Sequence, residues 1–398
     1  MHELPEDQIG ITKSRTEILY VVQPVLLGAM QVLRDPRVGE VRHPRSGGCR
    51  DVVCAAGARR VHGQALALPW GPHGDLVDRV VRRVPPHRRD EVIYFDVPDP
   101  AQPWGFNPLA GVPLDKRPLA ASALLEVFKK LWLDSWGPRL EHLLRNTLLA
   151  LLDQPQPNFA DVPLLLAARD FRRDAMTHIR NRPVRAFWLR EYEAYPARFR
   201  AEVIAPLQNK IGAFLANPLL HQILTQPQQS LDLRRVMDDG KVLVVNLAKG
   251  KIGEDTAALL GSLLIASIGT AALSRADRPP QERRDFWVYL DEFHTFTTMS
   301  IATMLSELRK YRAGFALGHQ YTAQLSEPLQ SAVFGNVGTI ISFRVGGADA
   351  DVLAREFYPT FHQADLMSLP NYRMCVKLLV DGKPTDPFSA ETLPPLSP

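Results

Sequence analysis

The sequence DFWVYLDEFHTF, residues Asp285–Phe296, is the stretch around which this chain is organised. Its first part, Phe286–Leu290, is apolar and rich in aromatic and β-branched residues, which is typical of a buried strand. Two adjacent acids, Asp291 and Glu292, follow directly. Because open α/β sheets keep their ligand sites at the carboxyl ends of the strands, the stretch predicts a strand that delivers two carboxylates to such an edge.

An apolar strand that ends in Asp-Glu is the Walker B arrangement. In this arrangement the first acid, here Asp291, holds Mg2+, usually through water, and the second, here Glu292, polarises the water that attacks a γ-phosphate. The alternative interpretation is a strand followed by a solvated acidic turn, and this stretch by itself leaves both open.

Length and composition indicate a globular protein. The chain has 398 residues, of which 45% are hydrophobic, enough for one large domain or two ordinary ones. Lys+Arg 47 against Asp+Glu 43 gives a formal charge of +4, which permits a nucleic-acid partner without demanding one. The cysteines are Cys49, Cys54 and Cys375; they form neither an even disulfide framework nor a zinc spacing, and reduced thiols in the cytosol are expected.

No export signal or membrane span is predicted. The N-terminal MHELPEDQIG carries acids before any apolar run, unlike the basic leader of a signal peptide. The longest uncharged runs, Ile18–Leu33 and Ala257–Ser274, are marginally short for a span. The second run lies between two strand-like stretches, so it is interpreted as a helix buried against a sheet, with a short transmembrane helix as the rival.

The first part of the chain divides at Gly71. In residues 1–70 the stretch Glu17–Val32 could be helical, whereas 35–69 is an Arg, Gly and Pro mixture without a period of 2 or 3.6. Residues 71–117 hold a helix after Gly71 and a strand at Glu91–Phe95, which make one α/β unit.

Residues 118–235 carry helix signals and hardly any strand signal, and they predict an all-α insertion domain. The predicted helices are Ala120–Leu133, Arg139–Leu152, Asp161–Arg180, Val184–Ala194, Phe199–Ala216 and Pro218–Leu224. Its arginines include Arg169, Arg172, Arg173, Arg180, Arg182, Arg185 and Arg190. They form either a solvated face or a nucleic-acid-binding face.

Residues 236–398 return to an alternating pattern of strands and helices. Strands are predicted at Val242–Leu247, Phe286–Leu290, Phe315–Leu317, Gly338–Phe343 and Met374–Val380, with helices at Asp255–Ser274 and Ser300–Tyr311 between them. The alternation implies one largely parallel sheet, interrupted by the insertion and covered on both faces.

Several polar residues fall at strand ends on one predicted edge of this sheet: Asn246, Asp291, Glu292, Gln320 and Arg344. A single strand-end Gln or Arg is usually an ordinary loop residue. Together they supply what phosphoryl transfer needs: Mg2+ coordination, a base, an amide that orients water or senses a γ-phosphate, and a guanidinium.

From Gly71 onward the chain resembles the conjugative DNA-transfer ATPases of the TraG/TraD coupling-protein group, within the HerA and FtsK superfamily. The resemblance rests on seven ordered blocks: Pro72–Val80, Val92–Leu109, Trp136–Leu152, Val242–Asp255, Val288–Phe296, Leu305–Leu325 and Val333–Phe357. It implies a RecA-like P-loop NTPase core with an all-α insertion domain.

The resemblance also implies a function. ATP and Mg2+ would be the cofactors, hydrolysis would take place at subunit interfaces of a homo-oligomeric ring, and DNA would pass through the pore. Type IV secretion or relaxosome components would be partners, and a cytoplasmic chain would reach the inner face of the membrane only through them.

By motif, the resemblance assigns Asp291 to Mg2+. Asp291 and the strand-end residue Asn246 are the candidates for nucleotide binding. Glu292 would be the catalytic base and Gln320 the sensor. Arg344 would be the arginine supplied to a neighbouring site, with Arg309 as a rival.

The sequence departs from this group at the phosphate loop. The group has a strand followed by Gly-x-x-x-x-Gly-Lys-Ser/Thr, whose amides and lysine hold the phosphates. Here Lys13-Ser14 has only the final dipeptide. Two explanations are open: a frame change upstream of codon 71, or a divergent N-terminus. The abrupt junction favours the frame change. Translating codons 31 to 70 in the other two reading frames tests it. A catalytically impaired or truncated homologue, which binds DNA or partner subunits without hydrolysing ATP, is therefore the alternative function.

Overall fold

The computed structural model describes residues 18–22, 64–68, 75–82, 84–225, 230–380 and 382–392. Its strands are β1 (Ile18–Val22), β2 (Gln64–Leu68), β3 (Val92–Asp96), β4 (Val242–Asn246), β5 (Phe286–Leu290), β6 (Ala313–His319), β7 (Thr339–Ser342), β8 (Arg373–Lys377), β9 (Leu379–Val380), β10 (Lys383–Pro384) and β11 (Phe388–Glu391). Nine of them form one sheet, in the order β11-β8-β7-β1-β6-β5-β2-β4-β3. β9 and β10 make a separate small hairpin.

The sheet is largely parallel, as predicted. Every pairing from β7 to β3 is parallel, and only β8 and β11, at one edge, run antiparallel to their neighbours. The predicted strand Met374–Val380 is divided into β8 and β9. The strand β5 has the length that its apolar run predicted, and it pairs with β6 along five residues.

Two strands of the sheet come from residues 1–70. β1 lies between β6 and β7, and β2 lies between β5 and β4. The expectation that Glu17–Val32 could be helical is therefore wrong at residues 18–22, where ILYVV pairs in parallel on both sides because its apolar, partly β-branched side chains suit an interior strand. Lys13-Ser14 and the segment from Gly71 to Gly74 lie outside the described residues, as do Cys49 and Cys54, whereas Cys375 is free and buried.

The helices before β4 are α1 (Asp75–Arg82), α2 (Arg117–Leu131), α3 (Pro138–Leu152), α4 (Asp161–Ala167), α5 (Arg169–His178), α6 (Arg182–Ala186), α7 (Ala197–Ala216), α8 (Pro218–Thr225) and α9 (Leu233–Asp239). The predicted helix Asp161–Arg180 is two helices, because Ala168 has extended backbone angles. The predicted helix Val184–Ala194 is α6 followed by a π-helix at Phe187–Tyr192. The all-α segment thus lies between β3 and β4, which are neighbours in the sheet.

The helices after β4 are α10 (Lys249–Ile252), α11 (Glu254–Ser274), α12 (Ser300–Glu307), α13 (Glu327–Asn336), α14 (Gly347–Glu356) and α15 (Gln363–Met367). The helical region Glu254–Asp277 is the one candidate for a membrane span within the described part of the chain, and 72% of its apolar window is buried inside the protein. It is the core helix that the sequence predicted, and it packs against α2 and α9.

The core lies on both faces of the sheet because side chains alternate along each strand. Phe286, Val288 and Leu290 of β5 join the large cluster that also contains α11 and the all-α helices. Tyr289 faces the other way, into a smaller cluster with residues of β7 and β8.

Phe296, four residues after Glu292, packs directly against α11. A Cβ atom added at Gly261 would lie 2.1 Å from the Phe296 ring, whereas one added at Gly212 of α7 would meet nothing within 4 Å. We therefore expect Gly261→Ala to lower the free energy of unfolding by about 1–3 kcal/mol through overpacking. Gly212→Ala should instead raise it by roughly 0.5–1 kcal/mol. Urea unfolding of the two variants checks this, and equal effects would contradict the packing described.

Candidate active site

The two acids and Gln320 meet at the carboxyl edge of the sheet. β5 and β6 are parallel neighbours with Leu290 beside Leu317, so the residues after each strand leave the sheet together. The Gln320 side-chain amide donates a hydrogen bond to Glu292 Oε1 over 2.7 Å. The predicted juxtaposition of sensor amide and carboxylate is present, although its role in chemistry stays a prediction.

Glu292 has an unusual backbone conformation. Its φ of 49° and ψ of 43° place it in the left-handed region, and it is 9% exposed. A non-glycine residue held there costs free energy, and such strain is concentrated at functional sites. The chain then enters a 3-10 turn, Phe293–Thr295, and the buried rings of Phe293 and Phe296 fix this turn to the core.

Asp291 has an unsatisfied buried oxygen. Its Oδ1 has no hydrogen-bond partner among the described residues. Burial, reinforced by the neighbouring Glu292 charge, raises the pKa of Asp291 to about 7. A divalent cation beside this oxygen would satisfy it and favour the ionised form. The described residues contain no group of three metal-binding side chains, and Mg2+ suits such a site because it is usually held by one or two carboxylates, water and substrate phosphates.

Two further titratable side chains, Lys249 and His294, act on Glu292 or lie beside it, and the sequence did not single them out. Burial raises the pKa of Glu292, while the Gln320 hydrogen bond and the Lys249 charge oppose this shift. His294 Nδ1 lies 3.6 Å from Glu292 Oε2. Burial, with the charges of Lys130 and Lys249, lowers the pKa of His294, so its ring is neutral at pH 7.

Lys130 connects the all-α segment to the turn after Glu292. From the last turn of α2, its Nζ donates to the carbonyl oxygens of His294 and Thr295 over 2.8 and 2.7 Å. Desolvation lowers the pKa of Lys130 to about 8. Local sequence could not reveal this contact, because the two segments are more than 160 positions apart.

Asn246 lies at the same edge but two strands away from β5. Its amide nitrogen donates to Asp96 Oδ1 over 2.8 Å, and its Oδ1 accepts from the Ala248 amide over 3.1 Å. These two bonds tie β3 to β4 and fix the turn into α10. The geometry describes a structural role, and nucleotide binding by Asn246 stays a prediction.

The two candidate arginines lie at opposite ends of the parallel strands. Arg344 follows β7, at the edge that carries Glu292 and Gln320; it is exposed and donates to Asn371 Oδ1 over 3.3 Å. Arg309 lies in the 3-10 helix that precedes β6, at the other edge. Of the two arginines, Arg344 is therefore the one at the strand ends that carry Glu292 and Gln320.

The expected ionisation of Asp291 gives a test in the free protein. An ordinary aspartate ionises near pH 4, so between about pH 4 and 7 the folded chain holds a proton that the unfolded chain has lost, and the free energy of unfolding falls as pH rises. Asp291→Asn cannot ionise, and we expect it to raise that free energy at pH 8 by about 1 kcal/mol or more, with little change at pH 4. Urea unfolding at both pH values checks this. The exposed Asp134→Asn should show no such pH dependence, and an equal response would contradict the buried, uncompensated carboxylate.

The chain is similar to known coupling proteins in part of its sequence and in its fold. Residues 238–352 match the family model of the type IV secretion-system coupling protein DNA-binding domain. The fold is similar to that of the unbound bacterial conjugative coupling protein TrwBdeltaN70, with a TM-score of 0.56 and 15% identity over 90% of this chain and 81% of that one. It is also similar to the plasmid coupling protein TrwB in complex with ADP and Mg2+, with a TM-score of 0.54 and 15% identity over 96% and 94% of the two chains. No curated protein sequence matches the chain.

The fold is thus a RecA-like core with an all-α domain, as the sequence predicted. The matched family segment holds β4, β5, β6 and β7 with the two acids, Gln320 and Arg344. The predicted resemblance to the conjugative coupling proteins of type IV secretion is confirmed.

Proposed function

We propose that the chain is a motor subunit of conjugation or type IV secretion that uses ATP to translocate DNA. The observation that carries the proposal is the Gln320–Glu292 hydrogen bond beside the unsatisfied Asp291 oxygen, at the carboxyl edge of a RecA-like sheet. A base, a cation ligand and an amide in contact with that base are the parts that ATP hydrolysis uses. The structural relative TrwB is described in complex with ADP and Mg2+, which supports ATP and Mg2+ as the cofactors of this chain.

In this proposal each residue has a stated task. Asp291, whose buried Oδ1 has no hydrogen-bond partner among the described residues, would hold Mg2+, and the ion would supply charge neutralisation at the phosphates. Glu292 accepts a proton from the attacking water, and burial raises the pKa of this base. Gln320 fixes the Glu292 carboxylate, and Arg344 acts in the neighbouring subunit of a homo-oligomeric ring.

The position of β1 in the sheet shows where a phosphate-binding loop would be expected. β1 pairs Val22 with His319 and with Ser342, so the carboxyl end of β1 lies at the same end of the sheet as the site. In the sequence no lysine occurs between Lys13 and Lys116. The lysine of a phosphate loop is therefore missing from the sequence after this strand. This observation is the basis of the second candidate, a homologue that binds DNA or partner subunits without hydrolysis. We expect ATP affinity far below that of a complete loop, because the loop's amides and lysine supply much of the grip on phosphate.

Hydrolysis of ATP by the purified chain, measured with and without DNA, tests the proposal. The proposal expects Mg2+-dependent turnover that DNA accelerates. Turnover absent at millimolar ATP and saturating DNA, in a chain that still binds DNA, would favour the second candidate.

DNA binding is proposed to use the arginines of the all-α segment. Arg172 is buried and paired with Glu193, so it is structural. Arg180, Arg182 and Arg185 are exposed on and beside α6.

A cytoplasmic location, with partners of the secretion apparatus at the inner face of the membrane, belongs to the same proposal.

Replacing Arg180, Arg182 and Arg185 together with alanine should weaken DNA binding for all sequences alike. Each removed arginine that had neutralised a phosphate should also reduce the slope of log affinity against log salt by about 0.9. Fluorescence anisotropy across a salt series measures both. Removing the exposed Arg355, Arg373 and Lys383 changes the net charge equally and should have a smaller effect; equal reductions in affinity would show that only net charge matters.

A further inference from the structure

We propose that Asp349 is a positioning residue: with Thr322 it forms a buried clamp that holds the Gln320 amide on Glu292 and joins it to the segment that carries Arg344. The inference rests on the proposed function for its catalytic meaning, while the clamp itself is a feature of the free chain. None of the residue roles inferred from the motifs includes Asp349 or Thr322.

The clamp consists of two hydrogen bonds to one carboxylate oxygen. The Thr322 backbone amide and its hydroxyl both donate to Asp349 Oδ1, over 2.8 and 2.5 Å. Thr322 is 3% exposed and Asp349 6% exposed, so the bonds are shielded from water. Thr322 lies two residues after Gln320, and a shift of Thr322 would therefore move the sensor amide.

Two further side chains, those of His319 and Gln330, hold the same turn. His319 is fully buried, and its Nδ1 lies 3.0 Å from the Tyr321 carbonyl oxygen. Burial lowers the pKa of His319 to about 4, so the ring is neutral at pH 7 and Nδ1 carries the proton that it donates to that carbonyl. From α13, the Gln330 side-chain amide donates to the carbonyl oxygens of Thr322 and Leu325 over 2.7 and 3.2 Å. Both side chains therefore fix the backbone of the turn that follows Gln320.

The Asp349 carboxylate has no cation beside it to explain its burial. Among the described residues it forms no ion pair with a lysine or arginine, and a buried carboxylate must otherwise be stabilised by hydrogen bonds. Asp349 lies in the first turn of α14, where the helix N-terminus favours negative charge. Thr322 supplies the donors, so the acid and the turn stabilise each other.

The clamp also reaches toward Arg344. Arg344 lies five residues before Asp349, and the short connection between them is fixed by bonds from Val345 to the Leu366 carbonyl and from Ala350 to the Gly346 carbonyl. One rigid segment therefore carries both the clamp acid and the arginine. Through it, the state of Gln320 in one subunit is passed to the arginine that acts on the next subunit.

Hydrogen–deuterium exchange on the full chain tests the clamp without relying on ATP turnover. Asp349→Ala should speed amide exchange in residues 319–325 and 343–349 by about tenfold or more, because these amides lose their shared anchor. Thr322→Val should do so in 319–325, and Thr322→Ser, which keeps the hydroxyl, should restore slow exchange. The exposed Asp351→Ala, on the same helix, is the matched control and should leave all segments unchanged.

Two results would overturn the clamp: unchanged exchange in residues 319–325 of Asp349→Ala, or an equal acceleration in β5 that marks general destabilisation. For the catalytic part, Asp349→Ala should lower kcat at least tenfold with little change in KM, and wild-type kcat in that variant would refute positioning. Wild-type protein that fails to hydrolyse ATP would refute the proposed function and leave the exchange result to decide the clamp.

Discussion

Replacing Glu292 by glutamine should abolish ATP turnover while nucleotide binding stays nearly intact. The amide keeps the size of the carboxylate and can still bond to Gln320, but it cannot accept a proton from water. Loss of a general base lowers rates by roughly 100- to 10,000-fold, so kcat should fall to the limit of detection. Steady-state hydrolysis and a nucleotide titration on the same preparation measure the two effects separately.

Glu327→Gln is the matched control, because Glu327 is exposed in the first turn of α13, away from the two acids. It should hydrolyse ATP like the wild type. Wild-type rates in Glu292→Gln would remove Glu292 from its proposed role, whatever the control shows.

Arg344→Ala should silence hydrolysis in a neighbouring subunit without unfolding its own. An arginine supplied across an interface is worth on the order of 1,000-fold or more in rate. Arg344 is exposed, so its loss should cost little stability. The rate of the purified variant, with thermal unfolding as the check on folding, measures this; Arg309→Ala, at the opposite edge of the sheet, should keep most of its activity.

Mixing separates action within a subunit from action between subunits. Arg344→Ala and Glu292→Gln chains are each expected to be inactive, but in a mixed ring an intact Glu292 can face an intact Arg344. Partial recovery of ATP hydrolysis is therefore expected. Mixed rings that form and stay inactive would contradict the assignment between subunits.

The sequence predicted those features that depend on short stretches. The apolar run of β5 and the adjacent acids identified the strand and its edge, and the strand-end glutamine after β6 does contact Glu292. The prediction of a helix where β1 lies was wrong, because a five-residue apolar run is too short to distinguish a strand from a helix by periodicity. Its assignment comes from pairing with β6 and β7, which lie about 300 residues further along the chain.

The contacts that support the site were missed for the same reason. Lys130 meets the turn after Glu292 through the packing of α2 against α11, and Asp349 meets Thr322 although the two residues are 27 positions apart. Nothing in the local pattern around either residue marks it, since an exposed lysine at a helix end and an acid in a first helical turn are ordinary choices. Tertiary structure alone gives them a role.

A calorimetric titration of the purified wild-type chain with ATP, with and without Mg2+, tests most directly whether this edge is a nucleotide site. We expect Mg2+-dependent binding that is weaker than micromolar and is abolished by Asp291→Asn, because the carboxylates are in place and the phosphate-loop lysine is not. Micromolar affinity would mean that residues 1–70 form a phosphate cradle after all. No binding up to millimolar ATP, or binding indifferent to both Mg2+ and Asp291, would contradict the central claim.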